Sequence, residues 1–400
     1  MITLWRRLHR DERGMSFVFV SVGFLSFCVA STLAIDVGLL MTARTQAQTA
    51  ADAGALAGAT ALAFNSFSDH SSGGPAVTSA VNTARTNPII GAPPSITSSD
   101  VTFPLDAITG AYDQVQVTVY RTQQRNNPLA TLVAAYFGRP TADISATATA
   151  AAFPANQEDC VLPFTVPDKW TEMQCGTTPC AWSTSYTFDM FAAQGNHQNY
   201  GAPLPNPDVY VPPGQPGATG YNATSDIGLQ MVLKPNSQTE VTPSFYNAWD
   251  VGGVTGASAY STNIGSCNSL FTTIGDNMLP ETGNMVGPTR QGAQQLIDLD
   301  PNAIWDPSCN GGRGCVANSA FGTSPRVRAV PLYNPILYAL DQHSGKSWPQ
   351  LQLVNYLGFF IESVDNGGAV TGRITPIAGR FSSGGPIATG GFASAIMLVR

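Results

Sequence analysis

The stretch GMSFVFVSVGFLSFCVASTLAIDVGLLMTARTQAQTAADAGALAGATALAF, residues 14–64, decides how this chain is organised. No residue from Met15 to Ile35 carries a charge. At about 1.5 Å of rise per residue, such a helix can cross the roughly 30 Å hydrocarbon core of a bilayer. The preceding residues are rich in arginine, namely Arg6, Arg7, Arg10 and Arg13. This bias predicts a cytoplasmic basic segment at 1–14, a single transmembrane helix at 15–41 and an extracytoplasmic remainder.

A cleavable signal peptide is the alternative for the N-terminal region. Its apolar core would span about 7–15 residues and be followed by a cleavage site of small residues. Here the core is longer, and Asp36 intervenes before any Ala-x-Ala. We therefore expect the helix to be retained as an anchor, with cleavage among the later alanines as the alternative.

Past Asp36 the sequence favours continuation of the helix with a face of small residues. One row recurs every four residues and a second lies beside it; the rows are Ala47, Ala51, Ala55, Ala59, Ala63 and Ala50, Gly54, Gly58. Such rows let another backbone approach closely. Alanine also simply propagates helices, but two interior glycines cost roughly 1 kcal/mol each unless packing uses them. Both interpretations stay open from the sequence.

The same region resembles a known family. RDERG at 10–14, AIDVGLL at 34–40 and QTAADAGALAGATAL at 48–62 are similar to the N-terminal signature of TadG-like proteins of the tight-adherence (Flp) pilus assembly system. The signature and helix-packing positions here are Asp36, Gly38, Arg44, Ala51, Asp52, Ala53, Gly54, Leu56, Ala57 and Gly58. The resemblance implies an inner-membrane component whose partners are the lipid bilayer and other pilus-assembly proteins or pilins. For Asp36 it favours a packing or assembly role over a proton relay.

The amino-acid composition restricts which folds and which partners are expected for the rest of the chain. Only 11% of the 400 residues are charged, whereas there are 39 glycines and 29 prolines, which is typical of a loop-rich β protein. The net charge of −7 argues against a nucleic-acid partner, because phosphate binding needs clustered Lys and Arg. We expect an α+β chain, with an Ala-rich helix and a small α/β module at 42–155 and a Pro/Gly-rich, β-rich domain at 156–400.

Six of the seven cysteines lie in the exported part, and Cys28 lies in the apolar span. An even number in an oxidising compartment favours disulfides, and the spacings do not match common zinc motifs. The two short loops, Cys175 to Cys180 and Cys309 to Cys315, are the first expectation, which leaves Cys160 with Cys267. Six cysteines allow 15 pairings, so the sequence leaves the others open.

Periodicity predicts the elements of both regions. In the module we expect a helix over 77–85, a strand over 113–123, a helix after Pro128 that stops at Gly138, and a strand over 143–153. The run 202–217 predicts either an ordered loop or a semi-rigid spacer. Towards the C-terminus we expect a helix over 287–301, strands over 326–340 and 352–364, and closing strands over 368–379 and 390–400.

Motifs for chemistry are absent from the sequence. It contains no Gly-x-Ser-x-Gly elbow, no His-Glu-x-x-His helix and no complete phosphate loop. The acidic run 298–306 lacks the glycine and the glutamate of a calcium loop. We therefore expect no catalytic residue, no bound metal or cofactor and no small-molecule substrate.

These patterns predict a non-enzymatic protein that tethers or links pilus machinery across the envelope. A minor pseudopilin of the same system is the first alternative, but Phe19 stands where the resemblance would place a glutamate after the cleavage glycine, Gly14. An anchored surface adhesin is the second alternative. An exported hydrolase is the third.

Overall fold

The computed structural model describes residues 13–65, 69–105, 114–176, 180–236, 240–382 and 391–399. The chain divides into two compact units. Unit 1 comprises residues 1–62, 67–151 and 396–400, and unit 2 comprises residues 63–66 and 152–395. Most of the basic segment expected at 1–14 lies outside the described residues, which begin at Arg13.

Helix α1, Arg13–Phe64, is one continuous helix of 52 residues. At about 1.5 Å per residue it is roughly 78 Å long. From Ser16 to Ala30 every residue is exposed except Cys28, which is half-buried. Among the described residues, α1 is the one helix long and apolar enough to cross a membrane, by length and composition. Its second half has a buried face, so the two ends of the same helix have different environments.

Unit 1 packs α1 against a second helix and a small sheet. Helix α2 is Pro75–Arg85, and its proline occupies the first turn, where no N–H is needed. The strands are β1 Val101–Thr102, β2 Gln114–Arg121, β3 Leu129–Ala130, β4 Thr141–Ala142 and β5 Ile144–Pro154. Strand β2 pairs antiparallel with both β1 and β5. The predicted helix over 77–85 and the predicted strands over 113–123 and 143–153 are confirmed.

The helix predicted after Pro128 is wrong. Residues 129–142 form an antiparallel hairpin of β3 and β4, and its loop holds a single 3-10 turn, Ala134–Phe137. Helical spacing of apolar residues is a weak signal over so few residues, because a short helix is marginal without tertiary support. The membrane-proximal module is therefore helices on an antiparallel sheet with a hairpin, rather than strand–helix–strand.

The small-residue face of α1 is buried inside unit 1. Five alanines of the predicted rows have no exposed surface: Ala47, Ala50, Ala51, Ala55 and Ala59. Ala63 is half-buried. A Cβ added at Gly58 would lie 2.8 Å from Val115 Cγ1 and 3.1 Å from Ala80 Cβ. A Cβ at Gly54 would lie 3.0 Å from Ala84 Cβ. The face is therefore a packing surface, and it packs against the chain's own α2 and β2.

Unit 2 is built on a seven-stranded sheet whose strands are β7 Phe164–Pro167, β8 Gln230–Pro235, β9 Phe245–Asp250, β11 Asn277–Pro280, β14 Val327–Tyr333, β15 Leu351–Val364 and β16 Val370–Ile374. The strand order is β11-β15-β14-β7-β9-β8-β16, and the sheet closes on itself because β16 pairs back with β15. Only the β14–β7 and β8–β9 pairs are parallel within this sheet. Two short antiparallel pairs lie outside this sheet: β6 Gln157–Glu158 with β10 Thr272–Thr273, and β12 Ile304–Asp306 with β13 Cys315–Ala317. The strands β17 Ile377–Ala378 and β18 Ala393–Val399 also lie outside it and pair in parallel with each other. The buried aromatic residues Phe164, Tyr246, Tyr356 and Phe359 fill the core of unit 2.

Three helices accompany this sheet: α3 Ala257–Gly265, α4 Val286–Leu299 and α5 Pro335–His343. Helices α3 and α4 approach closely at Gly292, where a Cβ would lie 2.7 Å from the Ser261 carbonyl oxygen. The predicted helix over 287–301 and strand over 352–364 are confirmed. The strand predicted over 326–340 is wrong in its second half. There Pro335 begins α5, and the Asn334 side chain caps it by accepting from the N–H of Ile336.

Loops in unit 2 are fixed by disulfides and buried polar side chains. The disulfides join Cys160 to Cys267, Cys175 to Cys180 and Cys309 to Cys315. These are the pairs that the spacing put first. The run 202–217 is an ordered loop rather than a spacer: Tyr210 is buried and donates its hydroxyl to Asp168 at 3.0 Å.

Substituting alanine at Gly58 should destabilise unit 1, because the new methyl group would meet Val115 and Ala80. Overpacking of this kind costs about 1–3 kcal/mol. The loss of stability should appear as faster hydrogen exchange of the α2 amides, measured on the full-length protein in detergent. The matched control is Gly38→Ala, where a Cβ has no atom within 4 Å. Equal protection of α2 in Gly58→Ala and Gly38→Ala would contradict the packing described above.

The long-range disulfide should contribute most to the stability of unit 2. Cys160 and Cys267 are 107 residues apart, whereas Cys175 and Cys180 are 5 apart. Because loop-closure entropy grows with loop length, the Cys160→Ser/Cys267→Ser variant should lose about 3 kcal/mol more than Cys175→Ser/Cys180→Ser. Urea unfolding of the two full-length variants in detergent would give both values. A larger loss of stability in Cys175→Ser/Cys180→Ser than in Cys160→Ser/Cys267→Ser would show that loop-closure entropy does not govern how much these disulfides stabilise the protein.

Unit 2 should become less stable as pH rises. Glu158 is buried, and burial together with the neighbouring Asp159 raises the pKa of Glu158 to about 9 from its ordinary 4.5. The folded state therefore holds a proton that the unfolded state loses above 4.5, and the stability of the fold falls as pH rises through about 9. Burial also raises the pKa of Asp168 to about 6 and that of Asp208 to about 7, so only the interval above about pH 8 isolates Glu158.

The variant Glu158→Gln mimics the protonated acid. Between about pH 8 and about pH 9 its melting temperature should change less than that of the unsubstituted protein. Thermal unfolding followed by circular dichroism would measure this. Asp341→Asn, at an exposed ion pair with Lys346, is the control and should leave the slope unchanged. Parallel pH curves for Glu158→Gln and the unsubstituted protein would contradict the prediction.

Candidate functional site

The carboxylate of Asp36 is the most constrained group on α1. It follows Ile35, the last residue of the charge-free run, and is 6% exposed. Its Oδ1 accepts the N–H of Leu132 at 3.0 Å. Its Oδ2 accepts the N–H of Val133 at 3.0 Å and of Ala134 at 2.6 Å. Three successive backbone N–H groups therefore converge on one side chain, which is a favourable environment for an anion.

The β3–β4 hairpin presents these N–H groups because its loop is pinned at both ends. The Thr131 N–H donates to the Pro140 carbonyl at 3.1 Å, and the Thr131 hydroxyl donates to the Arg139 carbonyl at 2.6 Å. Gly138 ends the 3-10 turn with φ of +78°, a backbone conformation that other residues rarely adopt. The loop thereby turns back to β4 with the N–H groups of its first part directed at α1.

A buried arginine holds the start of the same hairpin. The Arg121 guanidinium donates to the carbonyls of Asn127 at 3.1 Å and Pro128 at 3.2 Å, and to those of Ile89 and Ala92. Burial lowers the pKa of Arg121. An arginine remains charged in proteins, so these carbonyls are what compensate its desolvation.

The signature residues named here are buried, half-buried or exposed. Ala51, Gly54 and Gly58 are buried in the packing of unit 1. Asp52 is half-buried, and its Oδ1 accepts from Gln48 Nε2 at 2.7 Å along the helix. Gly38 and Arg44 are exposed. Asp36 is joined to the hairpin rather than directed at solvent. The structure therefore brings the buried residues into unit 1 and leaves Gly38 and Arg44 on its surface.

The cysteines offer no metal site among the residues that the structure describes. Asp159, Cys160 and Cys267 are close enough together to hold an ion. Both sulfur atoms belong to one disulfide, however, and a metal needs thiolate ligands.

The buried carboxylates Asp168 and Asp226 in unit 2 have a structural explanation. Asp168 accepts from Tyr210 and from the N–H groups of Lys169 and Tyr221 at 2.8 and 2.9 Å. Lys169 in turn pairs with Asp226 at 2.9 Å. Burial raises the pKa of Asp168 to about 6 despite these donors. Each group is occupied in joining loops, and none is positioned beside a nucleophile.

A half-open cavity of about 200 Å³ lies elsewhere in unit 2. It is lined by Asn247, Glu281, Tyr338 and Trp348 among others. The Asn247 amide donates to the Tyr333 hydroxyl at 3.3 Å, and the Glu281 carboxylate accepts from the N–H of Thr282 at 3.0 Å. The same carboxylate accepts from the Thr282 hydroxyl at 3.4 Å and from the N–H of Gly256 at 3.2 Å, so Glu281 is held by neighbouring donors.

Sequence reasoning missed the partner of Asp36. Leu132, Val133 and Ala134 bind it through their backbone N–H groups. Nearly every residue type has such a group, so the sequence does not identify these three as its donors. Arg121 and Glu158 were also missed, since an isolated arginine or glutamate in a strand gives no signal of its burial. Two signals marked Asp36 as a residue with a role: the exclusion of charge from the preceding span and the family resemblance of AIDVGLL at 34–40.

Comparison with known proteins agrees with this picture of α1. Residues 14–61 match the family model described as putative Flp pilus-assembly TadE/G-like. No curated protein and no solved structure matches the chain. The matched residues include the exposed apolar half of α1, Asp36 and most of the buried small-residue face. The match supports a TadG-like pilus-assembly protein, as the resemblance implied.

Proposed function

We propose that this chain is a non-enzymatic, membrane-anchored component of a tight-adherence (Flp-type) pilus assembly system, and that it tethers an exported domain to the inner membrane. The proposal rests on one observation, the continuity of α1. The helix is exposed and apolar at Phe17 and buried inside unit 1 at Leu62. From Asp36 to Phe64 it rises about 42 Å, so unit 1 is held at a limited distance from the bilayer.

The orientation follows from charge and redox chemistry. The arginines before the span favour a cytoplasmic N-terminus. The three disulfides lie between residues 160 and 315, and disulfides persist in oxidising compartments. Both features support a single-pass protein whose bulk is periplasmic.

The partners proposed are the bilayer and other pilus-assembly proteins or pilins. The small-residue face of α1 is occupied by α2 and β2, so it is not available to a second protein while unit 1 is folded. A protein partner would therefore bind another surface, such as the exposed residues of the span or unit 2. The net charge of −7 argues against nucleic acid.

Two alternative functions can be distinguished from the tether by experiment. A minor pseudopilin would lose residues 1–14 on maturation and start at Met15. An anchored adhesin would bind surface ligands in cells that lack the pilus genes. The tether predicts an uncleaved chain that works only together with the pilus system.

The test is complementation of a deletion strain with three forms of the gene, followed by counting surface pili. The full chain should restore pili. A form whose residues 1–41 are replaced by a cleavable secretion signal should not, because its exported part is no longer anchored. A form with residues 16–35 replaced by leucines keeps the length of the span and should restore pili, since leucine helices also span bilayers.

Intact mass of the complementing full-length protein distinguishes the alternatives. A chain starting at Met15 would make it a pseudopilin. Full piliation by the secreted form would refute the tether. Loss of piliation with the leucine span, in a stable membrane protein, would assign a specific membrane partner to the span and refute a purely tethering role.

A further inference from the structure

The loop between β3 and β4 exposes three large hydrophobic side chains. Leu132 is 60% exposed, Tyr136 is 89% exposed and Phe137 is 70% exposed. They lie within six consecutive residues of one loop, and Arg139 beside them is also exposed. A grouped set of exposed aromatic and aliphatic side chains indicates a surface that binds something, whereas single exposed hydrophobic residues do not.

The position of this loop along α1 is fixed by Asp36. The carboxylate accepts the N–H groups of Leu132, Val133 and Ala134, so the first part of the loop lies at the level of residue 36. Residue 36 directly follows the charge-free run that ends at Ile35. The exposed side chains are therefore held at the end of α1's apolar half.

The helix surface near this level is apolar as well. Val37 is 44% exposed and Met41 is 59% exposed, and the next charged residue is Arg44. These side chains are one turn apart on α1. The exposed apolar surface of the span thus continues past Asp36 to the level at which the loop is attached.

The composition of the loop fits a membrane interface. Tyrosine is enriched where a bilayer meets water, because its ring is apolar and its hydroxyl is polar. An arginine beside the aromatic residues can pair with lipid phosphate groups while its stem contacts the acyl boundary. Backbone N–H groups near hydrocarbon must be satisfied within the protein, and Asp36 satisfies three of them in this loop.

We propose that the loop 131–140 is a second membrane contact of this chain, which inserts Leu132, Tyr136 and Phe137 into the headgroup region of the leaflet from which α1 emerges. The occupant of this surface is lipid. Asp36 is a positioning residue that holds the loop at the correct depth. This inference depends on the anchoring of α1 in the membrane under the proposed function. It adds that unit 1 rests on the bilayer surface instead of standing clear of it.

The experiment uses the full chain in liposomes of phosphatidylethanolamine and phosphatidylglycerol. An environment-sensitive fluorophore is attached to one cysteine at a time, and its quenching is compared between lipid-borne spin labels and aqueous iodide. The loop site is Tyr136→Cys in a Cys28→Ser background. The matched control is Thr60→Cys in the same background, an exposed site about 36 Å further along α1 from Asp36. The native Cys28, labelled in the unsubstituted chain, reports on the span.

The Tyr136 label should be quenched by spin labels near the headgroups about twofold more than the Thr60 label, and less by iodide. Equal quenching at the two sites would overturn the proposal. Shielding of the Tyr136 label from both quenchers would also overturn it, because a protein would then cover the surface. The Cys28 label separates this inference from the proposed function. If lipid does not quench that label, the anchor itself fails; if lipid quenches it without quenching the Tyr136 label, only the loop contact fails.

The variant Asp36→Ala tests positioning. It removes the acceptor of the three N–H groups and should lower lipid quenching at the Tyr136 label while leaving the Cys28 label unchanged. Asp52→Ala is the control, since that carboxylate bonds only along α1 in the described contacts. Unchanged quenching at the Tyr136 label in Asp36→Ala would refute the positioning role. Circular dichroism of both variants establishes that they remain folded.

Discussion

The burial of the small-residue face of α1 is the contact on which unit 1 depends. Alanine and glycine let α2 and β2 approach the helix axis closely, so that Val115 and Ala80 occupy the space that a side chain at Gly58 would need. Two glycines in a helix interior cost roughly 1 kcal/mol each in backbone entropy. The close packing of α2 and β2 offsets that cost. As a consequence, the same helix whose apolar half is long enough to span a bilayer also packs at the centre of unit 1.

Asp36 marks the change between the two environments of α1. Before it, the exposed surface of the helix is apolar, and from Ala43 onward one face is buried in protein. A carboxylate near a bilayer needs hydrogen-bond donors, and the hairpin loop supplies three backbone N–H groups. The same bonds fix the loop. The hydrogen bonds of this one carboxylate thus stabilise its charge. They also fix the position of residues that lie almost one hundred positions later in the chain.

Unit 2 is stabilised in a different way. Its closed sheet leaves few free strand edges, and its core is aromatic. The disulfides and networks such as Asp168 with Tyr210 order the loops of a chain rich in proline and glycine. The hydrogen bonds of Asp168 therefore join segments of the chain that lie far apart in sequence.

The sequence by itself determined the features that depend on neighbouring residues: the apolar length of the span, the alternation of Val115, Val117 and Val119 in β2, and the short disulfide loops. Local patterns also identified the small-residue face, although they did not show what it packs against. Only the tertiary structure decided that the face is covered by α2 and β2, that residues 129–142 form a hairpin, and that Glu158 is buried. Each of these depends on contacts between residues far apart in the chain. Asp36 and Ala134 are the clearest case: a carboxylate can be read from the sequence, but the backbone N–H groups that bind it belong to every residue and carry no sequence signal.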